Sequence, residues 1–445
     1  MFSKILIANR GEIAIRIIRA CREMGISTVA VFSEADKDAL HVNLADESYC
    51  VGGAASKDSY LNMHAVLTAA NVSGAEAIHP GYGFLAENFL FAELCRQCGV
   101  TFIGPPPEVI KAMGDKNNAR TAMEKAGVPV TPGCKLLQDA AHAGREAERI
   151  GYPVLIKASA GGGGRGIRQV NNPAEIGAAF LAAKSEAKAC FNDDSLYMEK
   201  YLTDVKHIEV QVVCDNHGGI TVFPERDCSV QRRHQKLIEE SPSPTIDQRV
   251  RAALLKSAAA AAKAVGYKNA GTIEFLFDQK SGKFYFMEMN TRLQVEHGVT
   301  EMLTGIDIVK WQIRIAANAK LGFTQKDIRP SGHVIECRIN AENSRTGRPS
   351  CGTVKMLHVP GGPMVRFDSA LYQGYAVPPF YDSLIGKLLV SAYSREESIR
   401  KMQAALAELV IDGIDHNADI FEELLARPEF EDGGYSTSLV HGENR

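Results

Sequence analysis

Short apolar runs and an amphipathic segment alternate at the start of the chain. Lys4–Ala8 is an apolar run that predicts a buried strand. Glu12–Met24 has apolar residues at helical spacing and stops at Gly25, and Thr28–Phe32 predicts the next strand. This order predicts a βαβ unit of the Rossmann kind. Because the turn after the first strand lacks the G-x-G-x-x-G pattern, we expect no NAD there.

A β-hairpin is predicted between residues 271 and 286. Gly271–Phe277 and Lys283–Phe286 are rich in β-branched and aromatic residues, and Asp278–Gly282 between them has the composition of a turn. Antiparallel pairing would bring Glu274 beside Glu288. Two such carboxylates can bind one or two Mg²⁺ ions between the oxygens of a polyphosphate. The alternative, edge-strand charges that oppose aggregation, leaves the polar residues that follow unexplained.

The second run of this hairpin continues into a polar stretch. If the chain is extended from Phe286 to His297, its side chains alternate between two faces. One face then carries Phe286 and five polar residues, which are Glu288, Asn290, Arg292, Gln294 and Glu296. Buried charges need partners. A hard cation would bind Glu288 and Asn290, and Arg292 and Glu296 would face a reacting molecule. The pattern therefore predicts an active site.

A glycine-rich loop follows a short apolar run in the middle of the chain. Tyr152–Lys157 predicts a strand that ends in a lysine, and glycines dominate residues 161–166. Glycines let backbone N–H groups turn towards phosphate oxygens, and Lys157 adds a point charge. Gly161, Gly163 and Gly166 fit G-x-G-x-x-G, which alone is a weak signal, and neither a Walker A loop nor the protein-kinase motifs are found. We predict a phosphate-binding loop rather than a flexible linker.

One further arginine lies in a predicted strand with an apolar opposite face. Glu336, Arg338 and Asn340 alternate with Ile335, Cys337 and Ile339. A fixed anion-binding arginine would have this setting, and so would an ordinary arginine at the surface of a strand. The spacing alone leaves both interpretations open.

The composition narrows the class of protein. The 445 residues suffice for two or three domains with cores of their own. A net charge of −3 and a pI near 6.5 argue against a nucleic-acid-binding protein, and no apolar run has the length of a membrane span. Ten scattered cysteines, of which only Cys95 and Cys98 are closely spaced, indicate free thiols in a reducing cytosol. We expect a cytoplasmic globular protein.

Six segments, spread over essentially the whole chain, carry a family resemblance. They are Ile5–Ala14, His79–Phe84, Met113–Lys116, Glu225–Lys236, Glu288–His297 and Pro378–Ser383. On these segments the chain resembles the biotin carboxylases of the ATP-grasp superfamily, in particular the biotin carboxylase subunit of acetyl-CoA carboxylase. The resemblance implies a fold of α/β and α+β class in three parts. These are a Rossmann-like N-terminal domain (1–114), an ATP-grasp domain (115–330) with a mobile lid at about 131–202, and a strand-rich C-terminal domain (331–445).

The resemblance also implies a role for each matching residue. ATP would be bound by Lys116, Lys157, Gly163, Gly164, Glu199, Lys200, Tyr201, Leu202, His207, His234, Glu274 and Glu288. Mg²⁺, or Mn²⁺ in its place, would be bound by Glu274, Glu288 and Asn290. Bicarbonate would lie among Lys236, Arg292, Gln294 and the backbone of Val295. Glu296 would be the general base, and Arg338 would face the biotin ring; with Lys236 and Arg292 they form the implied catalytic set.

The implied reaction is the ATP- and bicarbonate-dependent carboxylation of biotin through carboxyphosphate. It is the first half-reaction of acetyl-CoA carboxylase, which forms malonyl-CoA for fatty acid synthesis. The nearest match to a biotin-attachment motif, Thr353–Met356, lacks the first methionine, so we expect the biotin carboxyl carrier protein and the carboxyltransferase on separate chains. A homodimer is also expected. A propionyl-CoA or pyruvate carboxylase subunit, another ATP-grasp ligase and an inactive nucleotide-binding paralogue remain alternatives.

Several positions depart from the family pattern, and two of them concern the base and the subunit interface. Gly298 stands where relatives usually have proline after Glu-His, and the loss of that ring frees the backbone beside Glu296. Pro363 replaces an aromatic residue that is common near the family's subunit interface. We therefore expect looser positioning of Glu296 and a changed subunit interface.

Overall fold

The computed structural model describes residues 1–159 and 166–440. Gly163 and Gly164, which were predicted to close over ATP, lie outside the described residues. Within the described ranges, no helix combines the length and the apolar character needed to cross a bilayer. The ten cysteines are all unpaired thiols.

A parallel five-stranded sheet forms the N-terminal part. Its strands are β1 (Lys4–Ile7), β2 (Ser27–Ser33), β3 (Glu47–Gly52), β4 (Ala77–His79) and β5 (Thr101–Phe102), and its helices are α1 (Gly11–Glu23), α2 (Leu40–Leu44), α3 (Met63–Ser73), α4 (Phe89–Gln97) and α5 (Pro107–Gly114). The strand order is β3-β2-β1-β4-β5, and every neighbouring pair is parallel. β1 is apolar and buried after Lys4 because the sheet is covered on both faces. The predicted βαβ opening is confirmed.

A smaller antiparallel sheet follows helix α6 (Lys116–Lys125). Its strands are β6 (Gly133–Cys134), β7 (Val154–Ala158), β8 (Ile167–Val170) and β9 (Leu196–Lys200), and its helices are α7 (Ala140–Ile150) and α8 (Ile176–Phe191). The strand order is β6-β9-β7-β8. An apolar cluster that includes Ile156, Phe180 and Met198 gives this sheet a core of its own. We refer to β6–β9 with α7 and α8 as the lid sheet.

A nine-stranded antiparallel sheet contains strands from the middle and from the C-terminal part of the chain. The elements after the lid sheet are β10 (Val205–Cys214), β11 (Ile220–Val222), β12 (Arg226–Arg232), β13 (Gln235–Ser241), α9 (Gln248–Ala264), β14 (Asn269–Asp278), β15 (Lys283–Asn290), α10 (His297–Thr304), α11 (Ile308–Ala316), β16 (His333–Asn340), β17 (Gly352–Thr353), β18 (Met356–His358), β19 (Val365–Ser369), β20 (Ala376–Val377), β21 (Leu384–Ala392), α12 (Arg395–Glu408), β22 (Val410–Asp412), α13 (Ala418–Leu425) and α14 (Pro428–Glu431). The large sheet has the order β15-β14-β10-β12-β13-β16-β21-β19, and β11 pairs with β10. Because β13 pairs with β16, the strand-rich C-terminal region continues the same sheet.

The predicted hairpin is confirmed, but the prediction that the chain stays extended beyond it, as far as His297, is wrong. β14 and β15 pair antiparallel, with Glu274 opposite Glu288. β15 ends at Asn290, and the chain then turns irregularly until α10 begins at His297. The N–H of Thr291 donates to a carboxylate oxygen of Glu87 at 3.1 Å instead of to a strand, and the polar face predicted up to Glu296 is therefore not a strand face.

Candidate active site

Glu274 and Glu288 face each other across the β14–β15 hairpin. Glu274 is buried, and its Oε1 accepts hydrogen bonds from Asn290 Nδ2 at 2.9 Å and Lys236 Nζ at 3.0 Å. Burial raises the pKa of Glu274, but Lys236 and His207 outweigh burial and hold this pKa well below its ordinary value. Ionised carboxylate and amide oxygens at this hairpin are the donors that a hard cation such as Mg²⁺ prefers.

His207 lies against the same carboxylate. Gln231 Nε2 is 2.8 Å from His207 Nδ1, and the amide can only donate there. The ring proton is then on Nε2, which lies 3.1 Å from Glu274 Oε2. β10 thus places His207 beside the carboxylate pair, and Gln231, on β12, fixes the direction of the ring.

Glu296 lies in the centre of the site between two cations. Its carboxylate is fully buried and accepts from Lys236 Nζ at 2.6 Å and from Arg338 Nη2 at 2.8 Å. Burial raises the pKa of Glu296, but Lys236, Arg338 and Arg226 outweigh it and hold this pKa well below its ordinary value. Glu296 is therefore a carboxylate at neutral pH.

Arg338 reaches Glu296 because β16 lies beside β13 in the large sheet. Ile335, Cys337 and Ile339 point into the apolar core on the opposite face, as the alternation predicted. The Nε of Arg338 donates to Glu239 Oε1 at 2.6 Å. Two carboxylates thus fix the guanidinium, so Arg338 is not an ordinary arginine at the surface of a strand.

Arg292 joins the turn after β15 to the N-terminal domain. Its Nε donates to Glu87 Oε2 at 2.8 Å, and its other nitrogens contact Gln294 Oε1 at 3.1 Å and Asn290 Oδ1 at 3.2 Å. Sequence reasoning missed Glu87. Its signal was its place in the loop after β4, because ligands of parallel sheets bind at the carboxyl ends of the strands.

A second missed group lies beneath Lys236. Glu209 is fully buried and accepts from Lys236 Nζ at 2.7 Å and from Arg226 Nε at 2.5 Å. Glu239 was also missed. Both carboxylates lie on strands that carry other polar residues as well, so the sequence pattern neither marks them nor identifies their partners.

The lid sheet carries the second lysine of the predicted phosphate site. Lys157 Nζ on β7 donates to Glu199 Oε2 on β9 at 2.6 Å. Lys200 points elsewhere, because its Nζ donates to the carbonyls of Gly151 and Tyr152 at 2.9 and 2.8 Å. The lid sheet thus presents Lys157 and Glu199 together, whereas Lys200 binds the backbone of the lid sheet itself.

Four predicted residues remain, which are Lys116, Tyr201, Leu202 and His234. Lys116 Nζ lies 3.9 Å from Glu288 Oε2. Tyr201 donates its N–H to the carbonyl of Pro153 at 3.0 Å, and Leu202 follows it, half-buried. His234 has an exposed side chain in the turn between β12 and β13. The structure therefore brings Lys236 into the centre of the site and leaves His234 at the entrance to β13.

Three family descriptions match consecutive parts of the chain. "Biotin carboxylase, N-terminal domain" matches residues 1–110, "Carbamoyl-phosphate synthase L chain, ATP binding domain" matches residues 115–324, and "Biotin carboxylase C-terminal domain" matches residues 336–442. All of the site residues described above lie within these three segments.

Relatives and solved structures agree with these matches. The biotin carboxylase of Haemophilus influenzae is 54% identical over 98% of this chain and 97% of its own length. A biotin carboxylase of Campylobacter jejuni, solved as a β-γ-ATP complex, superposes with a TM-score of 0.96 at 49% identity over 99% of both chains. The biotin carboxylase domain dimer of Hydrogenobacter thermophilus 2-oxoglutarate carboxylase, in complex with MgADP, ADP and bicarbonate, gives 0.94 at 49% identity over 99% of this chain and 97% of that one. The chain therefore belongs to the biotin carboxylases, the ATP-grasp ligases that carboxylate biotin at the expense of ATP.

Proposed function

We propose that this chain is the biotin carboxylase subunit of an acetyl-CoA carboxylase, which supplies malonyl-CoA for fatty acid synthesis. The observation that carries the catalytic part of the proposal is the buried Glu296 carboxylate between Lys236 and Arg338. This arrangement joins a proton acceptor to two cations, and one of them, Lys236, also lies 3.0 Å from Glu274 Oε1.

ATP binds, in this proposal, between the lid sheet and the large sheet, with its phosphates at Lys116 and Lys157. The other proposed contacts are those of Gly163, Gly164, Glu199, Lys200, Tyr201, Leu202, His207 and His234, and the domain limits are 1–114, 115–330 and 331–445. Glu274, Glu288 and Asn290 fit Mg²⁺ or Mn²⁺, since two carboxylates and an amide meet at one hairpin. The metal, when bound, offsets negative charge on the phosphate oxygens.

Bicarbonate is proposed to lie against Lys236, Arg292, Gln294 and the N–H of Val295. Glu296 accepts the proton of bicarbonate, and the resulting oxyanion attacks the γ-phosphorus of ATP. The bond from phosphorus to the β-γ bridging oxygen breaks, ADP leaves with its electron pair, and carboxyphosphate forms. Lys236 pairs with Glu296 in this structure. When Lys236 turns to the bound anion, Glu296 loses a cation partner, and its pKa and basicity rise.

Carboxyphosphate then breaks down to CO₂ and phosphate. The phosphate removes the N1 proton of biotin, Arg338 stabilises the negative charge that develops on the ureido oxygen, and N1 attacks CO₂. Carboxyphosphate reacts readily with water, so closure of the lid sheet over the site is part of the proposal.

The acyl acceptor and the partners belong to the proposal as well. We propose a cytoplasmic homodimer that receives biotin on a carrier protein, with the carboxyltransferase on a further chain. The dimer named in the 2-oxoglutarate carboxylase structure supports the oligomer. Similarity to solved 2-oxoglutarate and pyruvate carboxylase structures supports a second candidate, a subunit of such a carboxylase. A propionyl-CoA carboxylase subunit is a further alternative, since the acceptor is chosen by the carboxyltransferase.

The catalytic proposal is tested with the purified chain, ATP, Mg²⁺, labelled bicarbonate and free biotin, by counting acid-labile carboxybiotin. We compare Arg338→Lys, which keeps the charge but loses the fork between Glu239 and Glu296, with Arg395→Lys as a matched control. Arg395 likewise binds a buried glutamate, with its Nε 2.7 Å from Glu240 Oε2, but outside the site. Label transfer is expected in the wild type and in Arg395→Lys, and a loss of about tenfold or more in Arg338→Lys.

Two outcomes contradict the proposal in different ways. If the wild type forms no labelled carboxybiotin, the chain is an inactive paralogue or catalyses another reaction. Equal label transfer by Arg338→Lys and the wild type would show that Arg338 does not act on biotin. The acceptor is decided separately, by isolating the chain with its carboxyltransferase and testing acetyl-CoA against propionyl-CoA, pyruvate and 2-oxoglutarate.

A further inference from the structure

The turn between β15 and α10 is held by two side chains that the mechanism above does not use. His297 Nδ1 lies 2.8 Å from the carbonyl oxygen of Gln294, and Lys387 Nζ donates to the carbonyl oxygen of Val295 at 2.7 Å. Both side chains are completely buried. Two consecutive peptide groups, immediately before the carboxylate of Glu296, are therefore fixed from the side.

The fixed carbonyls determine where the N–H groups point. In a trans peptide, the C=O and the N–H point in opposite directions. The carbonyl of Gln294 turned to His297 directs the N–H of Val295 away from His297, and the carbonyl of Val295 turned to Lys387 directs the N–H of Glu296 away from Lys387. No hydrogen bond within residues 1–159 and 166–440 uses either N–H. Consecutive free N–H groups of this kind form an anion-binding concavity.

His297 can only act as a donor here. Burial, together with nearby Lys387, lowers the pKa of His297 to about 3, so the ring is neutral. Because a carbonyl oxygen accepts, the single ring proton must be on Nδ1. The side chain thus supplies the shorter of two hydrogen bonds to this carbonyl, because the backbone N–H of His297 donates to it as well, at 3.4 Å.

Lys387 connects all three parts of the chain. It lies on β21 directly opposite Arg338 on β16, it donates to the turn at Val295, and its Nζ is 3.1 Å from Glu12 Oε1 on α1. Burial opposes its charge, but Glu12, Glu336 and Asp368 outweigh burial and raise the pKa of Lys387 above its ordinary value. The ammonium group is therefore charged when it holds the turn.

We propose that Lys387 and His297 are positioning residues that orient the Val295 N–H and the Glu296 carboxylate for bicarbonate. The inference rests on the proposed bicarbonate site. Gly298 has no ring that would restrict the backbone after Glu296, as a proline at this position would. The position of the turn in this chain therefore depends more strongly on Lys387 and His297.

The first test replaces Lys387 by methionine, which keeps the length of the side chain and removes the donor. Lys206→Met is the matched control, because the side chain of Lys206 is equally buried but contacts Asp227 Oδ2, at 2.9 Å, and the ring of Tyr435. In bicarbonate-dependent, biotin-stimulated ATP hydrolysis, Lys387→Met is expected to raise the KM for bicarbonate about 10- to 100-fold, with the KM for ATP changed less than about threefold. Lys206→Met is expected to lower the melting temperature and to leave the KM for bicarbonate within about twofold.

The second test uses His297 and does not depend on the folding of the lysine variant. His297→Asn places an amide N–H close to the position of Nδ1, whereas His297→Leu removes the donor at similar volume. We expect His297→Asn to keep the KM for bicarbonate within about threefold and His297→Leu to raise it about tenfold or more, with both variants binding MgADP as the wild type does.

The outcomes separate this inference from the proposed function. If the wild-type chain forms no carboxybiotin, the proposed function itself is wrong. An active wild type, with an unchanged KM for bicarbonate in His297→Leu and Lys387→Met, would overturn the positioning role alone. An equal rise in the KM values for bicarbonate and ATP would also overturn it, because that result indicates general damage to the fold.

Discussion

Glu240 offers a test of what stabilises the seam between β13 and β16, where the middle and C-terminal strands of the large sheet meet. It lies on β13, next to Glu239 but on the opposite face. Its carboxylate binds His333 Nε2 at 2.6 Å and Arg395 Nε at 2.7 Å, and it accepts from the hydroxyl of Tyr435. We expect Glu240→Gln to lower stability without changing the chemistry of the site.

The magnitude follows from the pKa of Glu240. Burial raises this pKa, but the hydrogen bond and charge of His333, and Arg395, outweigh burial and lower it from 4.5 to about 2. One pKa unit corresponds to about 1.36 kcal/mol, so the ionised carboxylate contributes about 3 kcal/mol to the free energy of unfolding. Because the folded pKa is depressed, this contribution is complete above about pH 4.5 and is lost as the pH falls towards about 2.

The assay is urea unfolding of the wild type and of Glu240→Gln at pH 7.5 and again near pH 4, with Glu239→Gln as the matched partner. At pH 7.5 Glu240→Gln should be less stable by about 2–4 kcal/mol, and the difference should shrink near pH 4. Glu239→Gln should instead alter carboxybiotin formation, since it replaces a carboxylate partner of Arg338 by a neutral amide.

Two results would refute this reasoning. A loss of stability in Glu240→Gln that is equal at pH 7.5 and pH 4 would show that the charge of Glu240 is not the cause. A large loss of carboxybiotin formation in Glu240→Gln, with stability unchanged, would mean that the seam acts on the site and not on folding.

Three further predictions concern the site itself. Glu296→Gln should lower bicarbonate-dependent ATP hydrolysis by about 10²- to 10⁴-fold while MgADP still binds, and more than a tenth of the wild-type turnover would exclude it as the base. Chelation of divalent ions should abolish carboxybiotin formation, and Mg²⁺ or Mn²⁺ should restore it; restoration by neither would exclude a metal at Glu274 and Glu288. A Cβ at residue 298 would lie 2.8 Å from Leu389 Cδ2, so Gly298→Pro should cost about 1–3 kcal/mol in urea unfolding, and Leu389→Val in the same chain should recover most of it, which a double-mutant cycle measures.

Local patterning of the sequence was enough to predict the elements that carry the site. The opening βαβ unit, the hairpin that pairs Glu274 with Glu288 and the alternation around Arg338 all follow from side-chain periods of 3.6 and 2.0, which depend only on neighbouring residues. The same reasoning failed at Asn290. There the chain leaves the strand because distant partners, such as Glu87 for Thr291, bind its backbone.

The partners of each charged group were decided by the tertiary structure alone. Arg292 meets Glu87 across 205 residues, Arg338 meets Glu239 across 99, and Lys387 meets the carbonyl of Val295 across 92. No periodicity relates residues so far apart. Their meeting depends on which strands become neighbours in the large sheet and on how the N-terminal domain packs against it. The sequence by itself thus determined which residues could do the chemistry, and only the packing of the sheet decided which carboxylate each cation holds, because burying a charge is tolerated only where the fold supplies its partner.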